Sequence, residues 1–136
     1  MGQQQLLLII LGVVVVGIAI AVGLTMFSDS AVSANRDALT NDLVNLAARA
    51  QQYYRRPSIL GGGGNSFTNL TTSSISLLTN KPVNGNGSYF IEQAGSGSGT
   101  TAMVVLQGVG TELNNGSPVA VQVFVFPDHD SMVVVN

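Results

Sequence analysis

The chain has 136 residues, enough for one domain, and only 9% of them are charged, five Lys or Arg and seven Asp or Glu. An average soluble domain contains about 25% charged residues. The net charge of −2 excludes the basic stripe that nucleic-acid binding needs, and the lack of cysteine excludes disulfides and Cys-based zinc sites. Since there is also only one histidine, the composition predicts no cofactor and favours a membrane-associated or assembling protein over an enzyme.

Residues 1–5 form a short polar start, and residues 6–27 form an uncharged apolar segment. As a helix this segment would measure about 33 Å, enough to cross the hydrocarbon core of a bilayer. No Lys or Arg precedes it and apolar residues continue to Phe27, so a retained helix is favoured over a removable signal peptide. Small residues allow helices to pack closely; the candidates are Gly12, Gly17, Ala19, Ala21 and Gly23. The alternative is a lone membrane anchor in which these residues have no role.

Residues 28–56 continue the helix in amphipathic form, without Gly or Pro. Apolar side chains recur on one face, which we expect to pack on the rest of the chain; they are Val32, Leu39, Leu43, Leu46, Ala50 and Tyr53. Pro57 should end the helix. The two segments therefore predict one helix of about 50 residues, and a coiled-coil seam is the alternative interpretation of the apolar face.

Residues 57–136 are predicted to form a head domain. A Gly-, Ser- and Thr-rich loop comes first, and four segments rich in Val, Phe, Tyr and Ile follow; they are Ser88–Gln93, Thr101–Gln107, Pro118–Phe126 and Ser131–Val135. Their connections are too short for crossover helices, so the sheet should be antiparallel, with three to four strands. The predicted fold class is α+β, with the long N-terminal helix packed on this sheet.

Few side chains in the head suggest chemistry. Asp128, His129 and Asp130 are interpreted as a polar hairpin turn, and the segment 95–99 as a flexible turn, because a strand follows it instead of the helix that a phosphate site requires. Asn69 and Asn86 match the glycosylation acceptor pattern. The sequence predicts no catalytic residue and no metal site.

An apolar N-terminal helix that begins almost at the first residue, an amphipathic half, a Gly-rich loop and an antiparallel sheet together resemble the type IV pilin family. Members carry a leader ending in Gly that a prepilin peptidase removes, and the resemblance places this processing between Gly2 and Gln3. The polar start, Gln3, Gln4 and Gln5, is similar to that of archaeal and some bacterial pilin-like proteins, and would make the polar contacts of the N-terminus. Many bacterial pilins have a proline in the apolar half; none occurs here, so we expect an unbroken helix between Gly12 and Gly23.

The resemblance implies a major structural subunit of an extracellular filament that serves adhesion, motility or surface attachment. Copies of the chain would wait in the cytoplasmic membrane and then be assembled, by an ATPase and a membrane platform protein, into a helical polymer. The apolar halves would form the core of that polymer and the sheets its outer surface. Two alternatives remain open: a minor pseudopilin or secretion-system subunit, and a membrane-tethered binding module that does not polymerise.

Overall fold

The computed structural model describes residues 2–136, which form one long helix and one antiparallel sheet. Helix α1 runs over Gly2–Arg55. Four strands neighbour one another in chain order; they are β1 (Gly87–Ser96), β2 (Met103–Asn114), β3 (Ser117–Val125) and β4 (Asp130–Val134). The predicted α+β fold, a long N-terminal helix packed on an antiparallel sheet, is confirmed.

Helix α1 is continuous over 54 residues, a length of about 80 Å. It does not break between Gly12 and Gly23, as the absence of proline predicts. The helix already starts at Gly2, so the three glutamines that follow are part of it instead of a separate polar segment. It ends at Arg55, because the next residue precedes Pro57 and is disfavoured from helical backbone angles.

The sheet is a meander in which each neighbouring pair of strands is antiparallel. Asn115 and Gly116 form the β2–β3 turn, and both have positive φ, which is the geometry that two-residue hairpins prefer. One face of β3 is fully buried against the helix side of the sheet; it consists of Val119, Val121, Val123 and Val125. On the other face, Ala120 is buried whereas Gln122 and Phe124 are half-buried, so burial alternates only from Val121 to Val125.

The end of β1 and both ends of β2 differ from the predicted bounds, and β2 continues to Asn114 instead of ending at Gln107. Gly95, expected to begin a flexible turn, lies in β1. Its N–H donates to the Leu70 carbonyl oxygen at 2.7 Å, and a Cβ at this position would overlap the Phe67 carbonyl oxygen. The glycine is therefore needed for close approach of two backbones. The chain turns after it and forms a one-turn 3₁₀ helix, Gly99–Thr101, so β2 begins at Met103 instead of Thr101.

The connection between α1 and β1 contributes to the core, although the sequence predicts only a loop. It contains one-turn 3₁₀ helices at Ser58–Leu60 and Ile75–Leu77. Phe67, Leu70 and Leu78 from this segment are buried, and the rings of Phe67 and Tyr54 lie 4.8 Å apart between centroids. The loop thus closes one side of the core between helix and sheet.

Candidate functional site

The first half of α1 is exposed on every side. Residues 2–30 are all exposed in the single chain. The large apolar side chains of this segment are at least half exposed, from Val22 at 50% to Phe27 at 77%. The helix is long and apolar enough to cross a membrane. A helix that is apolar all round needs lipid or other helices around it. This half of α1 is therefore the candidate functional site.

The small residues predicted to support helix packing contact nothing outside the helix. A Cβ added at Gly12, Gly17 or Gly23 would meet no atom of the rest of the chain within 4 Å. Ala19 and Ala21 are exposed as well. The structure places all five on an open helix, where their small size leaves room for a neighbouring helix.

The predicted processing site and polar contacts lie on the first turn of α1. Gly2, Gln3, Gln4 and Gln5 are exposed, and the glutamine side chains donate no hydrogen bond to any part of residues 2–136. Met1, the other residue of the expected leader, lies outside the described residues. The glutamine side chains are thus available for contacts beyond the single chain.

The second half of α1 packs on the sheet through one face. The structure buries all six residues for which this was predicted, and Ala47 and Tyr54 in addition; the six are Val32, Leu39, Leu43, Leu46, Ala50 and Tyr53. Ala47 and Tyr54 each lie four residues after a buried position, on the neighbouring row of the same face. The i, i+4 spacing was the signal in the sequence that could have identified them.

Asp42 ties the helix to the loop before β1. Its Oδ2 accepts hydrogen bonds from Asn84 Nδ2 and Asn86 Nδ2, each at 2.9 Å, and from the Tyr89 hydroxyl. Asn84 Oδ1 in turn accepts from the backbone N–H groups of Asn86 and Gly87, at 2.9 and 3.2 Å. One carboxylate therefore fixes a turn whose own backbone is held by an asparagine.

This arrangement sets the protonation of both ionisable partners. Partial burial alone would raise the pKa of Asp42, but the three hydrogen bonds outweigh it and the pKa is lowered. Burial, then the hydrogen bond to Asp42 and its negative charge, raise the pKa of Tyr89. Tyr89 stays protonated at neutral pH and donates to the Asp42 carboxylate, so the pair holds the helix and β1 together.

A second contact joins the helix to the turn between β3 and β4. Gln51 Nε2 donates to the carbonyl oxygens of Phe126 at 3.1 Å and His129 at 3.3 Å. Arg55 Nη2 donates to the carbonyl oxygen of Pro127 at 3.3 Å. Gln51 and Arg55 thus hold the end of the helix to the β3–β4 turn. The sequence predicted no role for either side chain.

A third contact lies where the helix enters the head. Asn35 Nδ2 donates to the Asn86 carbonyl oxygen at 2.8 Å, and its Oδ1 accepts from the backbone N–H of Glu112 at 3.4 Å. Gly110 on β2 passes so close that a Cβ there would overlap Asn35 Oδ1. The glycine lets the helix approach the sheet at this point.

Asp128 and His129 lie in the β3–β4 turn, and Asp130 begins β4. His129 Nδ1 and Asp128 Oδ1 are 2.7 Å apart on the exposed surface, and this hydrogen bond lowers the pKa of Asp128. The His129 ring stacks on Phe126 with centroids 4.4 Å apart. Within residues 2–136, no third His, Asp, Glu or Cys joins them to make a metal-binding group.

The two glycosylation candidates differ in their surroundings. Asn69 is exposed in the loop. Asn86 is half-buried, and its Nδ2, the atom to which a glycan would be attached, donates to Asp42. Attachment at Asn86 therefore requires breaking this contact in the folded head, whereas Asn69 requires no such change.

Across the described chain, no Lys or Arg forms an ion pair with an Asp or Glu; the one pair is that between His129 and Asp128. The other charged side chains of residues 2–136 form no ion pair, although the charge of Arg55 contributes, after the hydrogen bond with His129, to the lowered pKa of Asp128.

No protein-family model matches the chain, and no curated protein and no solved structure matches it either.

Proposed function

We propose that this protein is the major structural subunit of an extracellular type IV pilus-like filament. Copies would assemble through the first half of α1 after a period in the cytoplasmic membrane. The partners of assembly would be a prepilin peptidase, an assembly ATPase and a membrane platform protein. The filament would serve adhesion, motility or surface attachment.

One observation carries the proposal. A single unbroken helix has two environments, because residues 2–30 are exposed on all sides while the second half packs on the sheet through one face. The first half cannot be covered by the head, since the head's core begins at Val32. Lipid before assembly and other copies after it would both satisfy an all-apolar helix.

The surface of the head supports assembly as well. Only five charged residues occur in the whole segment 57–136, where Ser, Thr, Asn and Gly dominate. A monomeric domain is usually kept soluble by mixed surface charge. Such a surface is better suited to a polymer, in which part of each head is covered by its neighbours.

Electron microscopy of expressing cells tests the proposal. Negative staining of material shed from cells that express this chain with the assembly machinery should show filaments, and mass spectrometry should find this chain as nearly all of their mass. Filaments in which the chain is a minor component would favour the pseudopilin alternative. Absence of filaments, with the chain retained in the membrane, would favour the tethered module and refute the proposal.

Gly23→Leu separates packing in a filament from simple anchoring. Apart from the adjacent helix backbone, a Cβ at this position meets no atom of the same chain within 4 Å, so the head should fold normally and the helix should still insert. Close packing between copies should be blocked, and we expect the filament yield to fall at least tenfold. Val22→Leu, at an exposed neighbouring position, is the matched control and should assemble. Equal yields from both variants would count against a close-packed core.

A further inference from the structure

The second half of α1 exposes a strip of side chains on the side opposite the sheet. With 3.6 residues per turn, seven exposed residues follow one another along this side; they are Ala34, Asp37, Asn41, Val44, Ala48, Gln52 and Arg55. We call these seven residues the outer strip. The buried residues Leu39 and Leu43 point the other way, into the head. In the first half of the helix, the same side carries Gly12, Ala19 and Gly23.

Asp37 and Arg55 are the only charged residues of the outer strip. They are 18 residues apart, about five turns and about 27 Å, and so lie on one line along the helix. Asp37 makes no side-chain hydrogen bond and no ion pair with any part of residues 2–136. Arg55 donates to the Pro127 carbonyl oxygen at 3.3 Å and forms no salt bridge with a carboxylate of residues 2–136. Its charge nevertheless contributes, after the hydrogen bond with His129, to the lowered pKa of Asp128.

The position of the head decides what approaches this strip. The sheet covers one face of the second half of α1, so a parallel copy of the helix has access from the opposite side. Contact there removes Asp37 and Arg55 from water, and an unpaired charge away from water is costly. Copies in register would place Asp37 beside Asp37 and Arg55 beside Arg55, which adds repulsion between like charges.

We propose that neighbouring copies pack as parallel helices offset by about 27 Å, so that the Asp37 carboxylate of one copy accepts hydrogen bonds from the Arg55 guanidinium of the next. This offset of 18 residues also places Ala19 of the first copy beside Asp37 of the second, because Ala19 precedes Asp37 by the same interval. Ala34 and Ala48 on the strip leave room for the close approach. The inference rests on the proposed function, since it gives the register of the same assembly.

A charge swap tests the pairing. Asp37→Arg and Arg55→Asp should each lower the filament yield at least tenfold, because each puts like charges in contact, and the double variant D37R/R55D should restore most of it. Glu92→Arg, an exposed carboxylate on β1, is the control and should assemble as the unchanged chain does. Circular dichroism of each variant in detergent should match that of the unchanged chain, which excludes misfolding as the cause.

Single variants that assemble normally, or a folded double variant that does not recover, would overturn the pairing while leaving the filament itself in place. Failure of the unchanged chain to form filaments would instead remove the proposed function, and the offset with it. The two failures are thus distinguished by the unchanged chain alone.

Engineered cysteines test the offset while both charges remain. The chain has no cysteine of its own. Ala34→Cys combined with Gln52→Cys places thiols 18 residues apart on the outer strip, and oxidation of filaments should give a ladder of oligomers on a non-reducing gel. Ala34→Cys with Asn41→Cys, seven residues apart, should give no ladder, because a disulfide requires Cα atoms within about 7 Å. No ladder from the first pair, or an equal ladder from the second, would refute the offset.

Discussion

Asp42 is the side chain through which the helix, the loop and β1 meet. Its Oδ2 accepts from Asn84, Asn86 and Tyr89, and these hydrogen bonds together lower its pKa despite its partial burial. Hydrogen bonds to a charged acceptor are stronger than neutral ones. The contact should therefore stabilise the head most when Asp42 is ionised.

Asp42→Asn should reduce the free energy of unfolding by about 1–2 kcal/mol at pH 7, because it replaces charge-assisted hydrogen bonds with neutral ones. The sign of the pH dependence follows from the lowered pKa. The contribution of Asp42 is complete above its ordinary pKa of 3.8 and is lost as the pH falls through the lower folded value. The difference in free energy of unfolding between Asp42→Asn and the unchanged chain should therefore decrease below about pH 4. Urea unfolding followed by tyrosine fluorescence measures it.

Asp37→Asn is the matched control, since Asp37 is exposed and makes no hydrogen bond within the described residues. Its stability in urea should differ little from that of the unchanged chain at any pH. The loss of unfolding free energy caused by Asp42→Asn could instead stay constant between pH 7 and about 3. That result would show that the charge of Asp42 does not contribute to the stability of the head.

The sequence could not predict this polar contact. Asn86 matches a glycosylation pattern in the sequence, and Asp42 is one of several acids on the helix. Their contact joins positions 44 residues apart, and no periodicity links two such polar residues. Apolar periodicity reports which face is buried, but it carries no information about which polar side chains meet across that face.

Helix α1 is the element that the sequence predicts best. Its apolar first half and its stripe of buried positions from Val32 to Tyr53 follow directly from the spacing of apolar residues. The loop before β1 is the opposite case. Phe67, Leu70 and Leu78 are buried from irregular backbone, where no repeating interval marks the inward side chains, so their place in the core could be found only in three dimensions.

The two halves of α1 should respond differently to the same substitution. Leu43→Ala removes a fully buried side chain and should lower the free energy of unfolding of the head by about 2–5 kcal/mol. Leu11→Ala, at a position that is 58% exposed, should change it by less than about 0.5 kcal/mol. Both are measured by urea unfolding in mild detergent, with near-ultraviolet circular dichroism of the head as the signal. Similar losses from the two would contradict the division of the helix.

At the scale of the whole molecule, the head's core lies entirely beyond the apolar segment. Core residues begin at Val32, and residues 2–30 bury nothing against the sheet. The composition already indicates this division, because residues 1–28 carry no charge. The packing of copies that we propose could not be predicted from apolar spacing, because the proposal rests on charges that form no ion pair within the folded chain.

A chain that begins at Asp29 should fold without detergent. Its thermal midpoint should lie within about 5 °C of that of the full chain, because no buried contact is lost. A shorter chain that begins at Asp42 loses Val32 and the fully buried Leu39, and should melt at least about 10 °C lower or not fold. Calorimetry or circular dichroism checks both. A non-cooperative thermal transition of the chain that begins at Asp29 would show that the apolar half of α1 stabilises the head.

The continuity of α1 from Gly2 to Arg55 also has a mechanical consequence. Tension applied to the apolar half of α1 passes into the head along one continuous helix. No flexible linker separates the apolar half from the head. The head must therefore tilt and translate together with the apolar half of α1 as one rigid body. In the filament that we propose, no flexible linker between the apolar half and the head would therefore supply elastic extension.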